Sequence, residues 1–433
     1  MSRRQLAWEI ALIGLACFLA YAPALRIPLI EDDYSNLSMS QVKGAPASIA
    51  GIFHDPIFRV RATSCWLMYG LWKGFGLWAA AYHAASLILH FLNCCLVYGM
   101  VRLRSLRVAA PGRNSVPFWA AVFFAVQEGH QEAIMWFSAC NELLLFLFGA
   151  GSLVCWLMAG REGVARAGRL RWEIASVAAF GLALLSKESA VMWLPLFLVA
   201  SAGSAGWRRS AVRLTPHVAL ALVAVASVWM TRAYSFRFSD GSFSLAAPYW
   251  ITWPRGMARL LWVWGWIALA GIAWLRQSDL WKQAGAALVW MGIALVPYSF
   301  LTYSTQIPSR QTYVASAGLA VLFGLLMTRL AREPGALRKL AAAAAMAMLV
   351  SNVGYLWTKK RAQFLERAQP TEQLIRLARQ TPGPIWMECF PRNRYVAEEA
   401  VRMGAGRSPA ILVWSQAEAA ARKATATFCA QEP

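Results

Sequence analysis

The chain has 433 residues, 58% hydrophobic and only 15% charged, with a formal net charge of +21. Soluble domains carry about 25% charged residues, so this balance excludes a large soluble core and indicates a polytopic helical membrane protein. The Lys and Arg excess falls in short clusters between apolar runs, which is a topology signal and not a nucleic-acid surface. Lipid-facing backbone must satisfy its hydrogen bonds internally, so the runs are expected to be helices. The ten-residue alternation of an outer-membrane barrel is absent. The eight Cys form no CxxC and no regular spacing, which predicts neither a zinc site nor a disulfide framework.

Ser2-Arg3-Arg4 precedes a first apolar segment, Leu6–Leu25. Ala22-Pro23-Ala24 loosely resembles a signal-peptide cleavage site, but its proline and the many later spans favour an uncleaved helix with a cytoplasmic N-terminus. The acid triplet Glu31-Asp32-Asp33 then opens a long outer loop, residues 26–76. Three adjacent carboxylates beside a membrane are either a wetted turn or a working site. The same loop carries Arg59 and Arg61. Helix two, about Trp78–Val101, returns inward to Arg102, Arg104, Arg107 and Arg113. Helix three, about Val116–Val126, leads out to Gln127–Glu132. Helix four, about Leu143–Ala159, comes back to Arg161, Arg166, Arg169 and Arg171.

Helices five (about Ile174–Leu185) and six (about Val191–Ala202) are short, and Ser186-Lys187-Glu188-Ser189 joins them. Helix seven, about Val212–Ala233, precedes an outer loop at 234–254 rich in interfacial aromatics. Helices eight to eleven are expected near Gly256–Leu275, Ala284–Tyr303, Tyr313–Leu330 and Leu337–Trp357. Eleven helices keep the basic clusters on the cytoplasmic side; dropping either short helix would invert every later loop. The division 1–357 membrane domain and 358–433 extracytoplasmic tail follows. The tail has a helical stretch at Thr371–Arg379, apolar runs at Pro384–Phe390 and Ala410–Trp414, and a further helical stretch at Gln416–Thr425, which predicts a small α/β appendage. An extracytoplasmic tail would let Cys389 and Cys429 pair.

Helix two also carries Tyr82-His83, then His90, Asn93 and Leu96-Val97-Tyr98. His130 and Glu132 precede Ala133, Ile134 and Trp136. Ser186-Lys187-Glu188 follows, then Arg310, Tyr313, Ser316 and Gly318. This series resembles, over roughly residues 6–330, the transmembrane and tetratricopeptide-containing O-mannosyltransferases. They belong with the protein O-mannosyltransferases in the GT-C glycosyltransferase superfamily. Ser309 stands where that family has Glu, Gln311 where it has Tyr, Cys140 where an Arg is usual, and Arg59-Val60 where Arg-Pro is usual. No tetratricopeptide array follows in this sequence.

The resemblance implies an all-α GT-C bundle. It also implies a polyprenyl-phosphate sugar donor, a reaction on the outer leaflet of a plasma or inner membrane, and a first-loop acid as general base without a metal.

Such a reaction needs a base for the acceptor hydroxyl, cations for the leaving phosphate and an apolar groove for the lipid. Asp33 is the expected base, with Asp32 as its alternate and Glu31 beside them. Arg310, Lys187, Arg59 and Arg61 are the phosphate candidates, Arg310 first because its fork can bind phosphate oxygens in pairs. His83, His90, His130, Glu132 and Tyr313 are candidates for contact with the sugar or the acceptor, against the alternative that the histidines bond helix to helix. A divalent metal held by Glu31, Asp32, Asp33, His130 and Glu132 is a weaker expectation. The acceptor is a protein, glycan or lipid hydroxyl. The rival readings are a transporter or lipid flippase, which would distribute charged residues near the midplane, and a silent membrane scaffold.

Overall fold

The computed structural model describes residues 2–108, 115–201, 207–234 and 241–430. Arg113, Ala202 and residues 235–240 of the expected outer loop lie outside the described residues.

Helix α1 (Arg3–Tyr21) begins on Ser2, whose hydroxyl accepts the Gln5 N–H at 3.1 Å, and Pro23 opens the single turn after it. The first loop then folds into α2 (Asp32–Lys43), two single turns at Gly51–His54 and Pro56–Arg59, and α3 (Ala62–Phe75). The remaining bundle helices are α4 (Ala79–Val108), α5 (Val116–Val126), α6 (Cys140–Ala159), α7 (Arg166–Leu184), α8 (Trp193–Ser201), α9 (Trp207–Met230), α10 (Tyr249–Leu275), α11 (Ser278–Leu295), α12 (Ser316–Arg332) and α13 (Ala336–Tyr355).

Among the described residues, seven segments are long and apolar enough to cross a membrane, built on α1, α4, α6, α9, α10, α11 and α13. The chain is a multi-pass membrane protein. Helices α5 and α12 are shorter and almost wholly buried. They approach so closely that a Cβ on Gly324 would lie 2.9 Å from the Val116 carbonyl, the kind of contact small residues permit between membrane helices.

Each expected span has its helix, with several boundaries shifted: α10 starts at Tyr249, not near Gly256, and α11 covers Ser278–Leu295, not Ala284–Tyr303. Helix α7 starts at Arg166, not near Ile174, so Arg166, Arg169 and Arg171 form its first turns and not a loop. Charged side chains are tolerated there because that end of the helix is exposed.

The connections gather at two ends, in the alternation expected. At one end the Tyr21 hydroxyl donates to the Gln127 carbonyl, Thr63 to Ser186 at 2.7 Å, and the Ser244 N–H to the Phe300 carbonyl at 3.0 Å. At the other end Tyr98 donates to Glu9 at 2.6 Å and Arg213 pairs with Glu173 at 3.1 Å.

Helix α13 does not stop at 357. It passes through a wide turn, Leu356–Lys360, directly into α14 (Arg361–Gln380). The tail then adds β1 (Ile385–Cys389), α15 (Arg394–Ala400), β2 (Leu412–Val413), α16 (Gln416–Ala421) and β3 (Ala426–Cys429). The strands are parallel in the order β2-β1-β3, and a small core of Leu374, Ile385, Met387, Val401, Leu412 and Phe428 joins sheet to helices. Cys389 and Cys429 form a disulfide between the ends of β1 and β3. This unit docks on α2, where Arg402 donates to Ser38 and Gln41 meets Met403 at 3.1 Å.

Candidate active site

The acid triplet sits on a tight turn that enters α2. Glu31 takes φ 47°, a left-handed conformation that costs a non-glycine residue energy and marks a constrained site. Asp33 closes the turn: its N–H donates to the Ile30 carbonyl at 2.9 Å, and its Oδ2 accepts the Ile30 N–H at 2.8 Å. Its Oδ1 accepts from Ser138 twice, from N–H at 2.7 Å and from the hydroxyl at 2.6 Å. Asp33 is fully buried, and burial pushes its carboxyl up to about 7 against the pull of the Ile30 and Ser138 donors.

The three neighbours therefore have three different environments. Glu31 accepts from Arg367 through both oxygens, at 3.0 and 2.9 Å, and from Arg392 at 2.8 Å. Burial raises its pKa, but the Arg367 hydrogen bond and both guanidinium charges outweigh that and hold it below the usual carboxylate range. Asp32 is only partly buried, and its carboxylate makes no hydrogen bond or ion pair among the described residues, although its carbonyl accepts the Ser35 hydroxyl at 3.0 Å. Burial and the Glu31 charge raise its pKa, opposed by Arg310, Arg392 and Arg367 nearby.

Arg310 does come to this cluster. Its backbone N–H and its guanidinium both donate to Glu132 Oε2, at 3.2 and 3.4 Å. Trp136 lies between two cations: the Arg310 guanidinium is 5.0 Å from its ring and that of Arg367 is 4.8 Å, within cation–π range. Residues from four separate parts of the chain thus meet at one end of the bundle. Arg367 and Arg392 belong to the tail, which the sequence reading treated as an appendage, and no motif marks them. Arg392 is placed by the sheet: it lies in the turn after β1, on the side of the sheet that faces the triplet.

Other expected site residues lie elsewhere. Lys187 is buried and paired with Glu142, with its Nζ 4.7 Å from the Tyr298 ring, so its charge is satisfied inside the bundle. His90 Nδ1 meets the Tyr313 hydroxyl at 2.6 Å, and His130 Nε2 meets Ser316 Oγ at 2.6 Å. These rings stack with Phe124 and Phe146 in a fully buried cluster, the helix-to-helix alternative for those histidines. His83 is also fully buried, against the backbone of Ile27, Pro28 and Ile134. Among the described residues no three His, Cys, Asp or Glu side chains converge as metal ligands do; Glu31 is held by arginines and His130 faces the core.

Arg59 borders an apolar groove of about 690 Å³, and Arg61 reaches it through Glu188, which also lines the groove. Leu184, Val191, Leu220, Val223 and Val228 form much of its wall, from α7, α9 and the turn between α7 and α8. Arg61 pairs with Glu188 at 2.7 Å. Arg59 donates to the carbonyls of Ile52 (2.6 Å) and Phe53 (2.7 Å) and to Ser227 Oγ. Every one of these acceptors is neutral, and Arg59 makes no ion pair among the described residues. The rim is tied to the acids: Lys43, in the last turn of α2, pairs with Asp55 at 2.6 Å, and Asp55 caps the turn that carries Arg59 with bonds of 3.0 Å to the Ile57 and Phe58 N–H groups.

The architecture is a GT-C-like fold. It is shared with ArnT from Cupriavidus metallidurans in the apo state, at 15% identity and TM-score 0.56 over 95% of this chain and 87% of that one. The ArnT structure with undecaprenyl phosphate bound gives 15% identity and TM-score 0.53, over 95% and 90%. The archaeal oligosaccharyltransferase AglB from Archaeoglobus fulgidus, in complex with an inhibitory peptide and a dolichol-phosphate, gives 14% and 0.55 over 96% of this chain and 65% of that one. No family model matches the chain, and no curated protein matches it.

Proposed function

We propose that the chain is a membrane glycosyltransferase that moves a sugar from a polyprenyl-phosphate donor to a hydroxyl acceptor on the extracytoplasmic face. The observation that carries this is the free Asp32 carboxylate meeting Arg310, Arg367 and Arg392 at one end of the bundle, in a chain that also carries an apolar groove bordered by Arg59 and fit for an isoprenoid chain. The fold neighbours support it, since ArnT and AglB structures hold undecaprenyl phosphate and dolichol-phosphate. The Lys and Arg clusters at the opposite end support the side.

In this reading Asp32, not Asp33, is the base. Asp33 has both oxygens engaged, whereas Asp32 has a free carboxylate with a raised pKa. The acceptor oxygen bonds to the anomeric carbon, its proton passes to Asp32, and the bond from that carbon to the phosphate oxygen breaks. The leaving phosphate is met by Arg310, the first of the cations whose charge reaches Asp32, and the polyprenyl chain runs to the groove that Arg59 borders. Glu31, Arg367 and Arg392 position the triplet and set its field. The transporter reading loses ground because the acids gather at one end, and the membrane-buried pair Lys187–Glu142 is closed.

The test is sugar transfer from radiolabelled polyprenyl-phosphate donors by the purified protein in lipid nanodiscs. Arg310→Ala is expected to raise the donor KM by tenfold or more, equivalent to about 1.4 kcal/mol. Parental protein that transfers from none of a panel of such donors overturns the reading.

A further inference from the structure

A second cavity, of about 440 Å³, lies on the other side of the acid site and shares no lining residue with the apolar groove. Its mouth is polar, formed by Gln127, Glu128, Arg259, Ser309, Asn352 and Lys360. Three polar groups there have no partner. Gln127 Oε1 and Ser309 Oγ are buried without a hydrogen bond, in residues only 8% and 5% exposed. The Glu128 carboxylate makes no hydrogen bond or ion pair among the described residues, although its N–H donates to Asn352 Oδ1 at 3.0 Å. Buried polar groups are almost always satisfied, so these orphans call for a ligand that brings its own donors. Ser309 and Gln311 are also two of the positions where the sequence departs from the family it resembles, and the Gln311 Oε1 is likewise unpartnered.

The floor is different in kind. Leu261, Trp262, Trp264 and Leu319 make it apolar and aromatic. Helix α10 breaks there, with Trp262 at φ 32° and ψ −142°. A break frees backbone N–H and C=O groups that lipid cannot satisfy. Trp262 is 66% exposed on the bundle surface, so the cavity wall faces the bilayer.

We propose that this cavity binds a glycolipid: a hydroxyl-rich sugar head at the mouth and an apolar anchor along the broken helix. The carboxylate, amide and free hydroxyl accept from sugar hydroxyls, Arg259 and Lys360 donate to them, and aromatic rings cover their apolar faces. In the transferase reading this glycolipid is the acceptor, which makes the enzyme one that extends lipid-linked glycans; only that last step rests on the proposed function.

The experiment uses the full chain in nanodiscs with an alkyl glucoside carrying a diazirine in its chain. A matched probe ends in phosphocholine. Labelling is mapped by peptide mass spectrometry. The glucoside is expected to label residues 260–264, to be competed by unlabelled alkyl glucoside, and to lose at least fivefold in Ser309→Ala and in Gln127→Ala. Neither side-chain oxygen removed has a partner in the fold, so both variants should keep the parental melting temperature. Equal labelling by the phosphocholine probe, or labelling indifferent to both substitutions, overturns the proposal. The readout needs no donor, so it survives a failure of the transferase reading. Transfer to a peptide hydroxyl by a protein that does not label would reject the glycolipid and leave the transferase reading standing.

Discussion

Asp32 and Asp33 are adjacent in sequence, and their replacement by Asn should have opposite consequences. In Asp33→Asn the side chain keeps one carbonyl oxygen and gains an amide donor. Its two present faces accept from Ile30 on one side and from Ser138, twice, on the other. Whichever way the amide turns, at least one buried N–H meets another donor. One lost charge-assisted bond with an unsatisfied donor costs about 2–4 kcal/mol, a loss largest below pH 7 and offset at pH 8 by relief of the buried charge that raises the Asp33 pKa. Asp32 accepts no such bond, so Asp32→Asn should change stability by no more than about 0.5 kcal/mol, while losing the base should slow transfer by about 10²–10⁴. The assay pairs denaturant unfolding of the nanodisc-free, detergent-solubilised protein below pH 7 with single-turnover sugar transfer. Asp33→Asn at parental stability, or Asp32→Asn at the parental rate, would refute the division of labour between the two acids.

Four further outcomes are expected. The transfer rate should fall as pH is lowered through the raised pKa of Asp32, at a higher pH than an ordinary aspartate would give; a profile flat down to pH 4 contradicts it. Burial pushes the Asp33 carboxyl up to about 7 in the folded chain, above the ordinary aspartate range. The folded state therefore binds more protons across that window, so stability should decline as pH rises from about 4 to 7, and that slope should vanish in Asp33→Asn. Breaking the buried Lys187–Glu142 pair by Lys187→Met alone should cost about 3–5 kcal/mol, and the double variant with Glu142→Gln should recover most of it, as measured by melting of each variant. Removing the disulfide by Cys389→Ser with Cys429→Ser should cost about 2–4 kcal/mol, felt in the tail. Faster hydrogen exchange around Arg392 with an unchanged bundle is the result to look for.

The helices were legible because apolar runs and basic clusters are strong one-dimensional signals. Even the short α8 was required by the charge alternation of later loops. The start of α7 was missed because arginines on an exposed helical end look the same as arginines in a loop. The acid triplet was legible as a cluster, but the turn decides which carboxylate is free: φ at Glu31 and the Ser138 contacts bury Asp33 and leave Asp32 open. Lys187 and the histidines carried motif resemblance, yet their partners Glu142, Tyr313 and Ser316 lie tens to hundreds of residues away. Arg367 and Arg392 sit among many tail cations, and only the docking of the β-unit on α2 singles them out.

The decisive measurement is an experimental structure of the chain in nanodiscs with undecaprenyl phosphate added. The account places the phosphate within reach of the Arg310 guanidinium, beside the free carboxylate of Asp32, with the isoprenoid chain along the groove between α7 and α9. Phosphate found on Arg259 and Lys360, or at the end of the bundle that holds Arg213 and Glu173, would contradict it.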